Sequence, residues 1–154
     1  MSDVSYRFAT SADIEALVRL RLDFLTESGQ DVFAIRTLPD DIRAYFLRAL
    51  SQGEFVAAVA EAAGAIIGLS GIVYDRHPPR VTNPNGILPY LLNVYVVPPR
   101  RRQGIATKLI EMLVAHARQA GCTSVSLHVL PGGRGGLYPN LGFKPVDNEM
   151  KLEL

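Results

Sequence analysis

Val96-Val97-Pro98-Pro99-Arg100-Arg101-Arg102-Gln103-Gly104-Ile105-Ala106-Thr107 joins an apolar run to a run with helical periodicity. Pro98 and Pro99 cannot donate a ladder hydrogen bond, so a strand has to end there. From about Gln103 to Ala120, Ile105, Ala106, Leu109, Ile110, Met112, Leu113 and Ala117 share one helical side; Thr107, Lys108, Glu111, Arg118 and Gln119 share the other. Gly121 suits the C′ position. The stretch is therefore a strand–loop–helix joint. A helix start leaves backbone N–H groups unpaired and carries partial positive charge. Gly104 allows close approach to the backbone, Ala106 keeps the first turn narrow, and Arg100, Arg101 and Arg102 add charge. Such a joint suits a phosphate or pyrophosphate. It has neither the Lys-Ser/Thr pair of a P-loop nor the three glycines of a dinucleotide fingerprint. A solvated basic loop is the plainer alternative.

The flanks extend the pattern. Tyr90–Val97 reads as a central strand and Ser124–Val129 as another, so strand, helix and strand should form a parallel crossover. Upstream, residues 4–9 read as a short strand, and Thr10 with Asp13 as a capping pair. Ile14, Leu17, Val18, Leu22 and Leu25 line a first helix that stops near Gly29; Ile42, Tyr45, Phe46 and Leu50 line a second after Pro39. Phe55–Ala60 and Ile66–Tyr74 read as a hairpin around Gly64, and residues 75–89 as a long loop rich in Pro, Asn and Gly. After Ser124–Val129 come the glycine-rich turn 131–136, a short helix Leu137–Leu141, and one or two closing strands within 143–154. This order predicts an α/β (α+β) fold, a mixed sheet flanked by helices, in one domain over 1–154.

Composition narrows the function. The 154 residues carry 16 basic and 15 acidic side chains, and that near-neutral balance argues against a nucleic-acid surface. No apolar run approaches the about 20 residues of a membrane span. The single cysteine, Cys122, permits no internal disulfide, which points to a cytoplasmic setting; with three scattered histidines it offers no metal-ligand spacing. Cys122 reads as structural and His116 as a packing histidine.

Arg101-x-x-Gly104-x-Ala106 matches the Arg/Gln-x-x-Gly-x-Gly/Ala signature of the Gcn5-related N-acetyltransferases (GNAT). Asn93–Pro98 resembles that family's fourth strand, Leu137-Tyr138-Pro139-Asn140-Leu141-Gly142-Phe143 its LYxxxGF element, and Arg7-x-Ala9-Thr10-x-x-Asp13 its opening. The resemblance spans nearly the whole chain, in the same order. It implies the GNAT fold, mostly antiparallel with a splayed parallel pair of strands four and five, and an acetyl-CoA-dependent N-acetyltransferase without a metal. The pyrophosphate would lie on Arg101, Arg102, Gln103, Gly104, Ile105, Ala106 and Thr107. The pantetheine arm would pair with the strand at Val94, Tyr95 and Val96, where a bulge opens the slot.

For the chemistry, an alkylamine with a pKa of about 10.4 must lose a proton before attack, and the departing thiolate must gain one. A backbone N–H near Val94–Val96 would serve the developing oxyanion. Tyr138, on the family's tyrosine, is the candidate acid. His128, on the strand where relatives carry a glutamate, is the candidate base; a histidine that only shapes the pocket is the alternative. The asparagine that many relatives carry before the tyrosine is missing, and Arg134 is the polar side chain there.

The acceptor, a small-molecule or peptide amine, should lie against the first two helices and the loop 75–89. Asn93, Tyr74 and Arg80 are the candidate contacts, with Asp75, Arg76 and His77 nearby. Asp75 would favour a cationic amine, whereas Arg76 and Arg80 would favour a carboxylate. The competing reading is a non-catalytic acyl-CoA-binding sensor. Glu149–Leu154 could form an edge strand for a homodimer.

Overall fold

The computed structural model describes residues 3–130, 136–146 and 148–154. Its centre is a five-stranded sheet in the order β1-β2-β3-β4-β5: Ser5–Phe8, Phe55–Ala62, Ala65–Arg76, Ile87–Val96 and Ser126–Leu127. The first four strands are antiparallel to their neighbours, and β5 runs parallel to β4. Helices α1 (Ile14–Glu27) and α2 (Leu38–Gln52) precede the hairpin β2–β3, α3 (Ile105–Gln119) connects β4 to β5, and α4 (Leu137–Asn140) follows. The arrangement is the mixed α/β sheet with flanking helices that the sequence predicts.

Strand alternation splits the core into two layers. Phe55, Ala57, Val59, Leu69 and Tyr95 face α1 and α2, where Leu17, Val18, Leu20 and Phe46 are buried. Ala58, Ala60, Ile72, Leu91, Val94 and Val96 face α3, against Ile105, Leu109, Ile110, Leu113 and Ala117. The capping pair forms: Asp13 accepts from the Thr10 N–H at 2.8 Å, and the Thr10 hydroxyl accepts from Ala12 N–H at 3.3 Å. Asp13 also takes two hydrogen bonds from Arg7, at 2.8 and 2.9 Å, and Arg7 reaches Glu61 on β2 at 2.9 Å. That cluster ties β1, the start of α1 and β2 together.

Four boundaries differ from the sequence reading. The loop 75–89 is shorter, because β3 runs to Arg76 and β4 begins at Ile87, with Tyr74 opposite Pro89. Asn side chains close the turn that remains: Asn83 Nδ2 donates to Ile87 O at 3.0 Å and Ile87 N–H to Asn85 Oδ1 at 3.0 Å. Helix α3 starts at Ile105 rather than Gln103, because Arg102 and Gly104 adopt left-handed backbone angles, φ 61° and 79°, that a helix cannot contain. Strand β5 is two residues long, so His128 and Val129 lie beyond it. Among the described residues of 143–154 no strand forms; Glu149–Leu154 is exposed and offers no edge strand. Lone alternation without a partner strand does not hold such a segment in a sheet.

Candidate functional site

Strand β4 carries a bulge. Leu69 faces Tyr95 and Gly71 faces Leu92, so the single residue Ser70 stands opposite both Asn93 and Val94. Asn93 takes up the extra length with φ 60°, a left-handed angle that asparagine tolerates better than most residues. The bulge re-aims side chains. Without it Leu92 and Asn93 would point to opposite faces; instead both line one cleft between the sheet and helices α1 and α2. Leu91 and Val94 still face α3. The ladder's defect leaves Ser70 Oγ and Asn93 Nδ2 buried without a hydrogen-bond partner among the described residues.

The cleft encloses about 310 Å³ and is lined by Arg21, Asp41, Ile42, Tyr45, Phe46, Leu92 and Asn93. Arg21 Nη1 approaches Asn93 Oδ1 at 3.5 Å, and its guanidinium carbon lies 5.6 Å from the centre of the Phe24 ring. Burial pushes the Arg21 guanidinium below its usual pKa. Burial also raises the Tyr45 phenol, so it stays protonated at neutral pH. Asp41, at the exposed start of α2, accepts from the Thr37 hydroxyl at 2.8 Å.

On the other edge of β4, pairing with β5 covers only Tyr90–Ser126 and Leu91–Leu127. Past that point the two parallel strands part, beside Asn93–Val96. The loop that follows β4 turns back over α1. Arg101 Nε donates to Val96 O at 2.7 Å, its two terminal nitrogens each donate to Glu27 at 2.6 Å, and its guanidinium carbon sits 5.3 Å from the centre of the Tyr95 ring. Arg100 pairs with Asp3 at 2.7 Å. Two of the three arginines are thus neutralised within the protein, and Arg102 is the exposed one. Arg102 and Gly104 both adopt left-handed backbone angles in the turn that leads into α3. Nothing lies within 4 Å of where a side chain on Gly104 would begin, so the approach to the start of α3 is open. Lys108 N–H makes the first helical bond, to Gly104 O, which leaves the Ile105, Ala106 and Thr107 N–H groups in the unpaired first turn.

Of the sequence-predicted residues, the loop set Arg102–Thr107 and the strand set Val94–Val96 meet at the end of β4. Asn93 lies in the cleft on the opposite side of that strand from α3. Tyr138 is half-buried on the α3 layer, its ring 6.0 Å from that of Phe143. His128 is exposed, one residue past β5. Tyr74 is not in the cleft: it faces α3, where its hydroxyl and His116 Nδ1 are 2.6 Å apart. Burial pushes the Tyr74 phenol up to about 12. His116 is a packing histidine, its ring also 5.5 Å from that of Phe8. Arg80 sits in the exposed hairpin turn, where its backbone bridges Asn83 at 2.9 and 3.1 Å. Cys122 is half-buried and its thiol is pushed up by burial, in keeping with a structural role. Arg134 lies outside the described residues, and among those described no group of three or more acidic, His or Cys side chains could hold a metal. No helix among them is long and apolar enough to cross a membrane.

The sequence reading missed Arg21, Asp41 and Glu27. Arg21 had a signal: it occupies a position of the apolar stripe Ile14, Leu17, Val18, Leu25, where a cation is out of place.

The profile of the acetyltransferase (GNAT) family matches residues 14–143. A predicted acetyltransferase from Clostridium acetobutylicum, solved with acetyl-CoA, superposes with a TM-score of 0.89 at 30% identity over 97% of this chain and 96% of that one. A GCN5-related N-acetyltransferase from Ralstonia eutropha JMP134 gives 0.85 at 27% identity, with 98% of each chain covered. An aminoglycoside N-acetyltransferase in complex with CoA shares the fold, with a TM-score of 0.78 at 19% identity over 100% of this chain and 96% of that one. No curated protein matches.

Proposed function

Because this chain belongs to the GNAT acetyltransferase family, we propose that it moves the acetyl group of acetyl-CoA to a primary amine, with both substrates bound together. The observation that carries the reading is the meeting of two openings at the end of β4. The open, N–H-rich turn Arg102–Gly104 at the start of α3 fits a pyrophosphate. The edge of β4 past Leu91, where β5 has parted, fits the amide-bearing arm of the same molecule. The C. acetobutylicum relative was solved with acetyl-CoA, which supports that ligand here.

In this reading Gly104, Ile105, Ala106 and Thr107 bind the pyrophosphate through backbone N–H groups, and Arg102 adds charge. Arg101 acts indirectly: with its charge spent on Glu27 and the Val96 carbonyl, it fixes the loop on the end of the strand. The bulge at Asn93 sets the acceptor cleft and the thioester on adjoining stretches of β4. The amine nitrogen bonds to the acetyl carbon as the C–S bond breaks; the nitrogen gives up a proton and the sulfur receives one. Tyr138, half-buried beside α3, is the proposed donor to sulfur, and His128 the proposed acceptor from the amine.

Calorimetric titration of the protein and of Gly104→Asp with acetyl-CoA tests the reading. Saturable binding, weakened at least ~10-fold by a carboxylate placed against the pyrophosphate, is expected. Absence of binding to the parent protein removes the cofactor site and the transferase reading together.

A further inference from the structure

Transfer to a simple amine leaves one feature of the cleft without a purpose. Arg7, Arg43, Arg48, Arg100 and Arg101 each hold a carboxylate of the chain. Arg21 does not: among the described residues its guanidinium meets the Asn93 carboxamide oxygen and the Phe24 ring, and although Asp41 and Tyr45 line the same cleft, no ion pair joins it to Asp41, whose carboxylate accepts from Thr37. It is nonetheless half-buried, and it lines the cleft with Ile42, Phe46 and Leu92. A cation drawn into apolar surroundings without a counter-ion is unfavourable unless something else supplies the negative charge. The same pair is incomplete on its other side, since Asn93 is 3% exposed and its Nδ2 finds no partner among the described residues.

We infer that the acceptor is an amine that also carries a carboxylate, which enters the cleft as the missing partner of Arg21, with Asn93 Oδ1 orienting the guanidinium. The inference rests on the acetyl-transfer reading above. A guanidinium presents a planar fork that matches one carboxylate. A phosphate dianion fits less well, because one cation would leave it half-compensated. The spacing sets the size. Arg21 touches Asn93, and Asn93 adjoins Val94–Val96, where the thioester lies in this reading. Amine and carboxylate are therefore a few bonds apart, as in an amino acid, and Tyr45, Ile42 and Phe46 are left to receive its side chain.

The test compares the L-amino acids with the matching L-amino acid amides as acceptors, for the parent protein and Arg21→Gln, after each has been titrated with acetyl-CoA. The amide is the stricter control, because its less basic amine is more often neutral and would win if the carboxylate were ignored. The expected result is a kcat/KM at least ~10-fold higher for one or more amino acids than for their amides, the typical effect of a charge-assisted pair. That ratio should collapse in Arg21→Gln. Should Arg21→Gln fail to fold, as shown by loss of acetyl-CoA binding, Arg21→Lys keeps the charge without the fork and should give an intermediate ratio. Binding of acetyl-CoA with equal use of both forms, or with use of neither, overturns the inference and leaves the cofactor site standing. A ratio that survives in Arg21→Gln and Arg21→Lys overturns it as well. Failure of the parent to bind acetyl-CoA overturns the transferase reading itself.

Discussion

Arg101 grips Glu27 through two 2.6 Å hydrogen bonds, so the last turn of α1 is fastened to the loop that leaves β4. The third hydrogen bond, to Val96 O, lies within the same side chain's reach and anchors the loop to the strand as well. Partly exposed ion pairs contribute about 0.2–1 kcal/mol, while a buried carbonyl that loses its donor costs more. Arg101→Ala should therefore destabilise by about 1–2 kcal/mol, and Glu27→Gln by under about 1 kcal/mol. Thermal unfolding of the two variants gives the comparison. Equal effects would mean that the Val96 contact contributes nothing.

Tyr74 and His116 predict an alkaline limit. Burial raises the Tyr74 phenol to about 12, above the about 10 of an unfolded chain, so the folded state holds its proton longer. The stability this contributes is complete below pH about 10 and is lost as pH rises toward 12. Tyr74→Phe should flatten that part of the pH–stability curve, while at pH 7 it costs about 1–2 kcal/mol because His116 Nδ1 loses its partner. Urea unfolding at pH 7 and across pH 9–11.5 would show it.

Asp13 predicts the opposite limit. Its hydrogen bonds with Arg7 hold the carboxyl below its usual pKa, helped by the Thr10 N–H. Its contribution is present above the unfolded value of about 3.9 and disappears as pH falls through the lower folded value. Asp13→Asn should lower stability by about 1–3 kcal/mol at pH 7, and the gap to the parent should narrow as pH falls below the unfolded value. A gap that persists in acid would show that cap geometry rather than charge dominates.

Tyr138→Phe separates packing from proton donation. The ring contact with Phe143 survives the change, so stability should move by less than about 1 kcal/mol. If the hydroxyl protonates the departing sulfur, kcat should fall about 10–100-fold with KM for acetyl-CoA nearly unchanged; a thiol pKa near 8.5 keeps the loss below that of an obligatory acid. Undiminished kcat would remove the role.

His128→Gln tests the base. Loss of the acidic limb of the kcat/KM–pH profile is expected, with a fall of about 100-fold at neutral pH. An unchanged limb would mean that water takes the proton from the amine.

How much was legible in the sequence follows from where the information lies. Pro98, Pro99, Gly104 and the stripe Ile105–Ala117 are local: each residue's own geometry or its 3.6-residue spacing decides the outcome, and the strand–loop–helix joint could be read directly. So could the two helices and the hairpin around Gly64, whose apolar periods survive in the buried layers. The family resemblance added the order of the parts and the expectation of a bulge in β4. Other features depend on contacts between distant segments. Alternation in the isolated segments around His128 and Glu149 suggested longer strands, but a strand is held by its neighbour's ladder, and β5 finds partners only at Tyr90 and Leu91. The direction of Tyr74 is set by packing against His116, 42 positions away, which no local pattern shows. The basic run looked like a single cationic patch; Glu27 and Asp3, far off in the chain, neutralise two of its three charges. The cleft lined by Arg21 and Asn93 belongs wholly to the tertiary level. The sequence by itself determined the helices, the hairpin and the open turn at Gly104, because those follow from short-range sterics and periodicity. Only the folded sheet decided that Asn93 shares a face with Leu92 and meets Arg21, because one extra residue opposite Ser70 reverses a side chain's direction, and no spacing within β4 alone reveals it.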